Sequence, residues 1–219
     1  MEVAAISRVT KDPLVRQAEL MDTALDLFLA LGYQKTTVQD IVKKVNVAQG
    51  TFYYYFSSKE AILEAIIERN VKNLVEEVHS LEKITGIEKL QQFINRFYKL
   101  SYIGEPGLLG KILYKEKQGL LINKLWRQTN IITTPLLTSI IEECNKQGLT
   151  NVTHIKETLW FFGGIMGALL EVSSPLEYGH ESDLDIVRNK LQISANLFET
   201  LFGAPAGSIK LEVPKLVKE

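Results

Sequence analysis

The sequence predicts an all-α chain in two parts, a small three-helix unit joined by one long helix to a larger helical unit. Apolar residues recur at three- and four-residue spacing through most of the 219 residues. Glycine and proline fall mostly between those stretches. One helical pattern runs unbroken from about Ser58 to Leu81, long enough to leave a small unit and enter a second.

Helix 1 is expected from Pro13 or Leu14 to Leu31, with Leu20, Ala24, Leu27, Phe28 and Leu31 facing the core and Gly32 past its end. Helix 2 carries Val38, Ile41, Val42 and Val45 at helical spacing. Thr36 or Thr37 is its N-cap, and Gln39 or Asp40 follows three residues on. Asn46 supplies the turn, because a left-handed corner suits Asn better than most non-glycine residues. Helix 3, from about Gln49 to Phe56, has Phe52 and Phe56 spaced to pack inward and leaves Gln49, Gly50, Thr51, Tyr53 and Tyr54 outward. At roughly 100° per residue, the aromatic run from Phe52 to Phe56 cannot all be core. Tyr55 is open between the core and a phosphate contact.

Two short helices around a tight turn, the second aromatic-rich and uncharged, have the layout of a helix-turn-helix DNA reader. Gln can bond an adenine edge in two places, a Thr methyl can touch a thymine methyl, and Gly lets backbone approach closely. Tyrosine hydroxyls and Lys59, at the start of helix 4, suit phosphates. The candidate DNA-contacting residues are Thr36, Thr37, Gln39, Gln49, Gly50, Thr51, Tyr53, Tyr54 and Lys59. Ser57 or Ser58 caps helix 4, whose Leu63, Ile67, Val71, Leu74, Val78 and Leu81 share one face.

The run from Gly50 to Glu60, preceded by Thr36, Thr37 and Ile41, resembles the DNA-binding signature of the tetracycline-repressor (TetR) family over roughly residues 14 to 63. Asn46 stands in place of the usual turn glycine, Ala48 where a capping Ser is common, and Val42 and Val45 where alanines are usual. The resemblance implies a TetR-type helix-turn-helix domain over residues 10–58, a helical effector-binding and dimerisation domain over 59–203, and a tail over 204–219. It further implies a cytoplasmic homodimeric transcription regulator, usually a repressor. Its paired recognition helices would enter successive major grooves of a palindromic operator, roughly 34 Å apart, until a small-molecule effector releases it. The alternative is a helix-turn-helix protein that activates, or that docks a protein partner without effector response.

In the second unit, Leu90, Phe93, Ile94, Phe97 and Tyr98 make one amphipathic helix from near Gly86. Gly104, Pro106, Gly107 and Gly110 mark turns around a short helix. A long helix from about Leu120 to Gln147 contains Pro135, which removes a donor and either opens space for a ligand or relieves packing strain. From Ile155 to about Ser173, Ile155, Leu159, Phe162, Met166 and Leu169 form one stripe, and Gly163, Gly164 and Gly167 a small-residue surface. The last helix, about Asp183 to Phe202, has Leu184, Val187, Leu191, Phe198 and Leu201 on one face and Ile186, Ile193 and Leu197 on another. Two apolar faces require two partners, the chain's own core and the same helix pair of a second copy. Gly163, Gly164, Gly167, Leu184, Val187, Leu191 and Phe198 are the candidate interface residues. Phe93, Phe97, Tyr98, Trp126, Trp160, Phe161 and Met166 are candidates to line a pocket for an apolar or aromatic effector. Ile209, Leu211 and Val213 alternate as an extended docking segment would, or end the chain as a mobile terminus.

Composition bounds the remainder. A hydrophobic fraction of 46% with 23% charged residues is that of a soluble globular protein. Residues 1 to 59 are nearly neutral, because Arg8, Lys11, Arg16, Lys35, Lys43, Lys44 and Lys59 face Glu2, Asp12, Glu19, Asp22, Asp26 and Asp40. Arg8, Lys11 and Arg16 cluster as a basic arm at the start. DNA affinity should then rest on a few placed contacts and on dimerisation. The single Cys144 excludes an internal disulfide framework and reads as a small buried residue in a reducing compartment. His79, His154 and His180 lack metal-ligand spacing, Gly110-Lys111 lacks the rest of a P-loop, and no nucleophile–base pair is visible. No enzyme, cofactor, metal or membrane span is therefore expected.

Overall fold

The computed structural model describes residues 11–100, 119–172 and 181–211, without the side chains of 170–172, 181–184 and 187. These residues form eight α-helices and no strands: α1 (Pro13–Leu31), α2 (Val38–Val45), α3 (Gln49–Tyr55), α4 (Lys59–His79), α5 (Gly86–Leu100), α6 (Gly119–Lys146), α7 (Ile155–Val172) and α8 (Glu181–Phe202). The chain divides into two compact units, Met1–Ile66 and Ile67–Glu219. The opening of α4, with Ile62, Leu63 and Ile66 fully buried, goes with the first unit. The turns expected at Gly104 to Gly110 lie outside the described residues.

In the first unit, α1 begins where the Asp12 carboxylate accepts the Leu14 N–H at 2.8 Å and Pro13 occupies the first turn, which has no use for its missing donor. Its buried residues are Leu20, Met21, Ala24 and Phe28. Leu31, expected inward, is half exposed, because its turn has passed the end of the packed stripe. Thr37 rather than Thr36 caps α2, in a reciprocal capping box. The Thr37 Oγ1 donates to Asp40 Oδ2 at 2.6 Å and accepts the Asp40 N–H at 3.2 Å, while Thr37 N–H donates to the same carboxylate at 2.9 Å. The Thr37 hydroxyl above all holds the Asp40 carboxyl below its usual range.

The helix ends at Asn46, left-handed at φ 58°, with Asn46 N–H on Lys43 O and Val47 N–H on Val42 O. That is the paired closure more often built around glycine. Ala48 precedes α3 and gives no side-chain cap. Ser58 caps α4, its Oγ accepting the Ala61 N–H at 3.0 Å.

The second unit is built around one apolar cluster. Leu74 and Val78 of α4, Leu90, Phe93, Ile94 and Tyr98 of α5, and Leu136, Leu137, Ile140, Ile141 and Cys144 of α6 meet Phe162, Met166 and Leu169 of α7 and Leu191, Phe198 and Phe202 of α8. α5 packs along α6 and α7 along α8, with α6 bridging to α7. Thr85 and Glu88 form a second capping box at the start of α5. There Gly86 lies so close to Cys144 that a Cβ would stand 2.7 Å from its Sγ. Pro135 is on the exposed side of α6, next to the buried Leu136 and Leu137. After Gly203, left-handed at φ 61°, the chain turns back. Ile209 is buried and Lys210 is bonded to Gln91 of α5, so residues 209–211 are docked on the second unit; Val213 lies outside the described residues.

Two outcomes follow from this packing. Asn46→Ala should cost about 1 kcal/mol, because a left-handed backbone brings Cβ toward the following carbonyl, while Asn46→Gly should be within about 0.5 kcal/mol of the parent; urea unfolding followed by circular dichroism reads both. Burial pushes the Cys144 thiol up to about 11 from its ordinary 9.0. The folded state then holds a proton that the unfolded state releases, so this contribution is full below pH 9 and is lost as pH rises toward 11. Urea midpoints measured from pH 8 upward should fall more steeply for the parent than for Cys144→Ala.

Candidate functional site

The second helix of the helix-turn-helix, α3, presents an uncharged, hydrogen-bonding surface. Phe52 and Phe56 are buried on the inner side of α3, which leaves Gln49, Gly50, Tyr53 and Tyr54 exposed, the two tyrosines at 51% and 77%. Thr51 is half-buried, and nothing lies within 4 Å of where a Gly50 Cβ would be. Tyr55 is half-buried, its ring edge-on to Tyr54 at 4.8 Å. Gln39 and the capping Thr37 are exposed on α2.

Two expected contacts have a different role. Thr36 is fully buried, and its hydroxyl donates to Gly32 O at 2.8 Å and Leu27 O at 3.2 Å, so it closes the turn after α1. The Lys59 ammonium donates to the carbonyls of Tyr33 at 2.6 Å, Gln34 at 3.2 Å and Thr36 at 2.8 Å, and stands 4.4 Å from the centre of the Tyr33 ring. An ammonium has three donors. All three are occupied inside the unit, so Lys59 is a structural staple rather than a phosphate contact. Lys11 and Arg16 of the expected basic arm both pair with Glu19, Arg16 at 2.8 Å, and Arg8 lies outside the described residues. The Lys11 hydrogen bond is the main reason that the Glu19 carboxyl is held low. Lys35, before α2, and Lys43 and Lys44, on its last turn, are exposed cations that the sequence counted only toward net charge; Lys44 stands 3.8 Å from Asp26. Their positions at the two ends of α2 were the available signal.

The candidate effector residues separate into two groups. Phe93, Phe97 and Trp126 come together, Phe93 stacked on Phe97 at 5.7 Å and Phe97 tilted against Trp126 at 6.0 Å. Tyr98 and Met166 are buried in the same unit's core. Trp160 and Phe161 stand apart, 85% and 69% exposed. They follow Leu159 around α7 onto its outer side, so neither lines an interior site.

The candidate interface residues also redistribute. Leu191 and Phe198 are buried in the chain's own core, and the side chains of Leu184 and Val187 lie outside the described residues. Gly163 and Gly167 face α6, where added Cβ atoms would meet Asn130 and Trp126 at ordinary contact distances. Gly164 is exposed with open space above it. The apolar residues left facing outward are Trp160 and Phe161 of α7 and Ile186, Ile193 and Leu197 of α8.

The family model for bacterial regulatory proteins of the tetR family matches residues 20–66, the helix-turn-helix and its supports. The HTH-type transcriptional regulator YvdT of Bacillus subtilis is 43% identical over 68 residues, 31% of this chain and 32% of that protein. The fatty acid metabolism regulator protein of B. subtilis is 32% identical over 84 residues, 37% of this chain and 43% of that protein. These alignments span less than half of each relative. Among solved structures, the regulator FadR from B. subtilis in complex with stearoyl-CoA aligns with a TM-score of 0.59 and 21% identity, covering 84% of this chain and 97% of that one. A TetR-family regulator from Syntrophomonas wolfei aligns with a TM-score of 0.65 and 20% identity, covering 85% and 96%. The structural likeness is one of fold. The family match lies on the helix-turn-helix itself, so residues 20–66 of this chain are similar to the DNA-binding domain of bacterial regulatory proteins of the tetR family, and the described fold is shared with solved regulators of that family.

Proposed function

We propose that this chain is a homodimeric transcriptional repressor that binds a palindromic operator through α3 and leaves it when a small apolar or aromatic molecule binds the second unit. The observation that carries the DNA reading is the split of α3. Two phenylalanines plug one side, and an exposed patch of amide, glycine backbone and phenol groups is left on the other. Gln49 and Thr51 are the proposed base readers, and Tyr53 and Tyr54 the proposed phosphate contacts, with Thr37 and Gln39 beside them. Lys35 and Lys43 join the phosphate set in place of Lys59.

Dimerisation is supported by the outward face of α7 and α8. Trp160, Phe161, Ile186, Ile193 and Leu197 are large apolar residues exposed on adjacent helices, and a second copy of the same pair buries them in a two-fold four-helix arrangement. The effector reading rests on the Phe93, Phe97, Trp126 and Met166 group, which favours an apolar or aromatic ligand. An acyl chain is one candidate, since the structurally similar FadR is seen with stearoyl-CoA. Release requires the ligand to bind the DNA-incompetent state better, by about 1–3 kcal/mol, with α4 as the proposed carrier of the change.

The direct test is selection of bound sequences from a random duplex pool, followed by titration at two salt concentrations. A palindromic consensus with salt-dependent affinity supports the reading, and a protein that enriches no sequence rejects it. On the selected site, Gln49→Ala should lose about 1–3 kcal/mol and relax the base preference at one position per half-site. Lys59→Ala should instead lower the melting temperature of the protein while leaving the salt slope of the folded fraction unchanged. Trp160→Glu with Phe161→Glu should shift the sedimenting species from dimer to monomer with little loss of helix content; a dimer that persists at micromolar concentration places the interface elsewhere.

A further inference from the structure

The segment after α8 is held in the manner of a recognised peptide. The Gln91 side chain of α5 pairs with both main-chain groups of Lys210: its Nε2 donates to Lys210 O at 2.7 Å, and Lys210 N–H donates to its Oε1. One amide thus reads the backbone of one residue whatever its side chain, and the Lys210 side chain is exposed. On either side the apolar residues turn inward. Ile209 is buried in the same cluster as Phe93, Phe198 and Phe202, and Leu211 packs against that cluster. Register is set by Glu199 of α8, itself buried, whose Oε1 accepts the Ile209 N–H at 2.9 Å. Main-chain hydrogen bonds flanked by pockets for alternate side chains are the physical basis of extended-peptide recognition.

We propose that the surface between α5 and the end of α8 is a peptide-accepting site, which the chain fills with its own residues 208–211. The segment is a removable strap. While it is docked, α5 and α8 are held together through Gln91, Ile209 and Glu199, and Phe93 keeps its apolar cover. Once the covalent copy is removed, for instance by a protease cutting after α8, the site accepts the same sequence supplied as a separate chain.

The test compares the full chain with one ending at Gly207, using a fluorescein-labelled peptide of residues 206–219 as the probe. The shortened chain should bind the peptide saturably by fluorescence polarisation, and Gln91→Ala in that chain should weaken binding about tenfold through loss of two hydrogen bonds. The full chain should bind it at least about tenfold more weakly, because its site is filled. Equal binding by both chains, or equal binding of a peptide carrying Ile209→Asp, overturns the proposal. If the shortened chain does not fold, Gln91→Ala in the full chain decides the matter by hydrogen exchange. The Ile209 and Lys210 amides should exchange about tenfold faster while the amides of α6 keep their protection. Unchanged exchange at both positions overturns it.

Discussion

The Lys59 ammonium is the interaction on which the first unit depends. The stretch from Gly32 to Thr37 makes no helix, so its carbonyls need partners from elsewhere. Three of them, at Tyr33, Gln34 and Thr36, converge on one cation at the start of α4, while the Thr36 hydroxyl turns back to Leu27 and Gly32. Hydrogen bonds to a charged donor are stronger than neutral ones, and the Tyr33 ring beneath adds its own attraction. The result fixes where α2 begins, and the Thr37–Asp40 box continues from that point without a gap. Through the left-handed Asn46, that placement determines the direction of α3.

On α3 itself the economy of side chains is notable for what it omits. No charge stands on the helix, and the exposed groups are an amide, a glycine and two phenols. A weakly charged surface gives up long-range attraction to phosphate, so affinity for DNA through this helix would rest on short-range fit. The exposed cations Lys35 and Lys43 lie at the two ends of α2 rather than on α3.

The second unit shows how little residue type decides on its own. Phe162 and Phe161 are neighbours on α7, yet the first is packed between Phe93, Phe198 and Phe202 and the second is open to solvent. Gly163 and Gly167 face Asn130 and Trp126 of α6. The helix carries apolar residues on more faces than one core can cover, and α8 does the same with Ile186, Ile193 and Leu197. An exposed apolar surface shared by two packed helices costs free energy in water and is relieved by a matching surface.

Local rules were enough to read most of the elements. The sequence by itself determined the all-helical class, the order of the helices, the inward turn of Phe52 and Phe56, the left-handed corner at Asn46 and the burial of Cys144. These depend on spacing along one helix or on the conformational range of one residue. What only the tertiary structure decided were the partners across the chain. Lys59 belongs to carbonyls more than twenty residues before it, Thr36 is internal where Thr37 is the cap, and Leu191 and Phe198 are core while Trp160 and Phe161 are surface. Gln91 meets Lys210 from the other end of the second unit. Periodicity states that a side chain lies on a face; which neighbour covers that face is set by long-range packing, and that information is not local to any one helix.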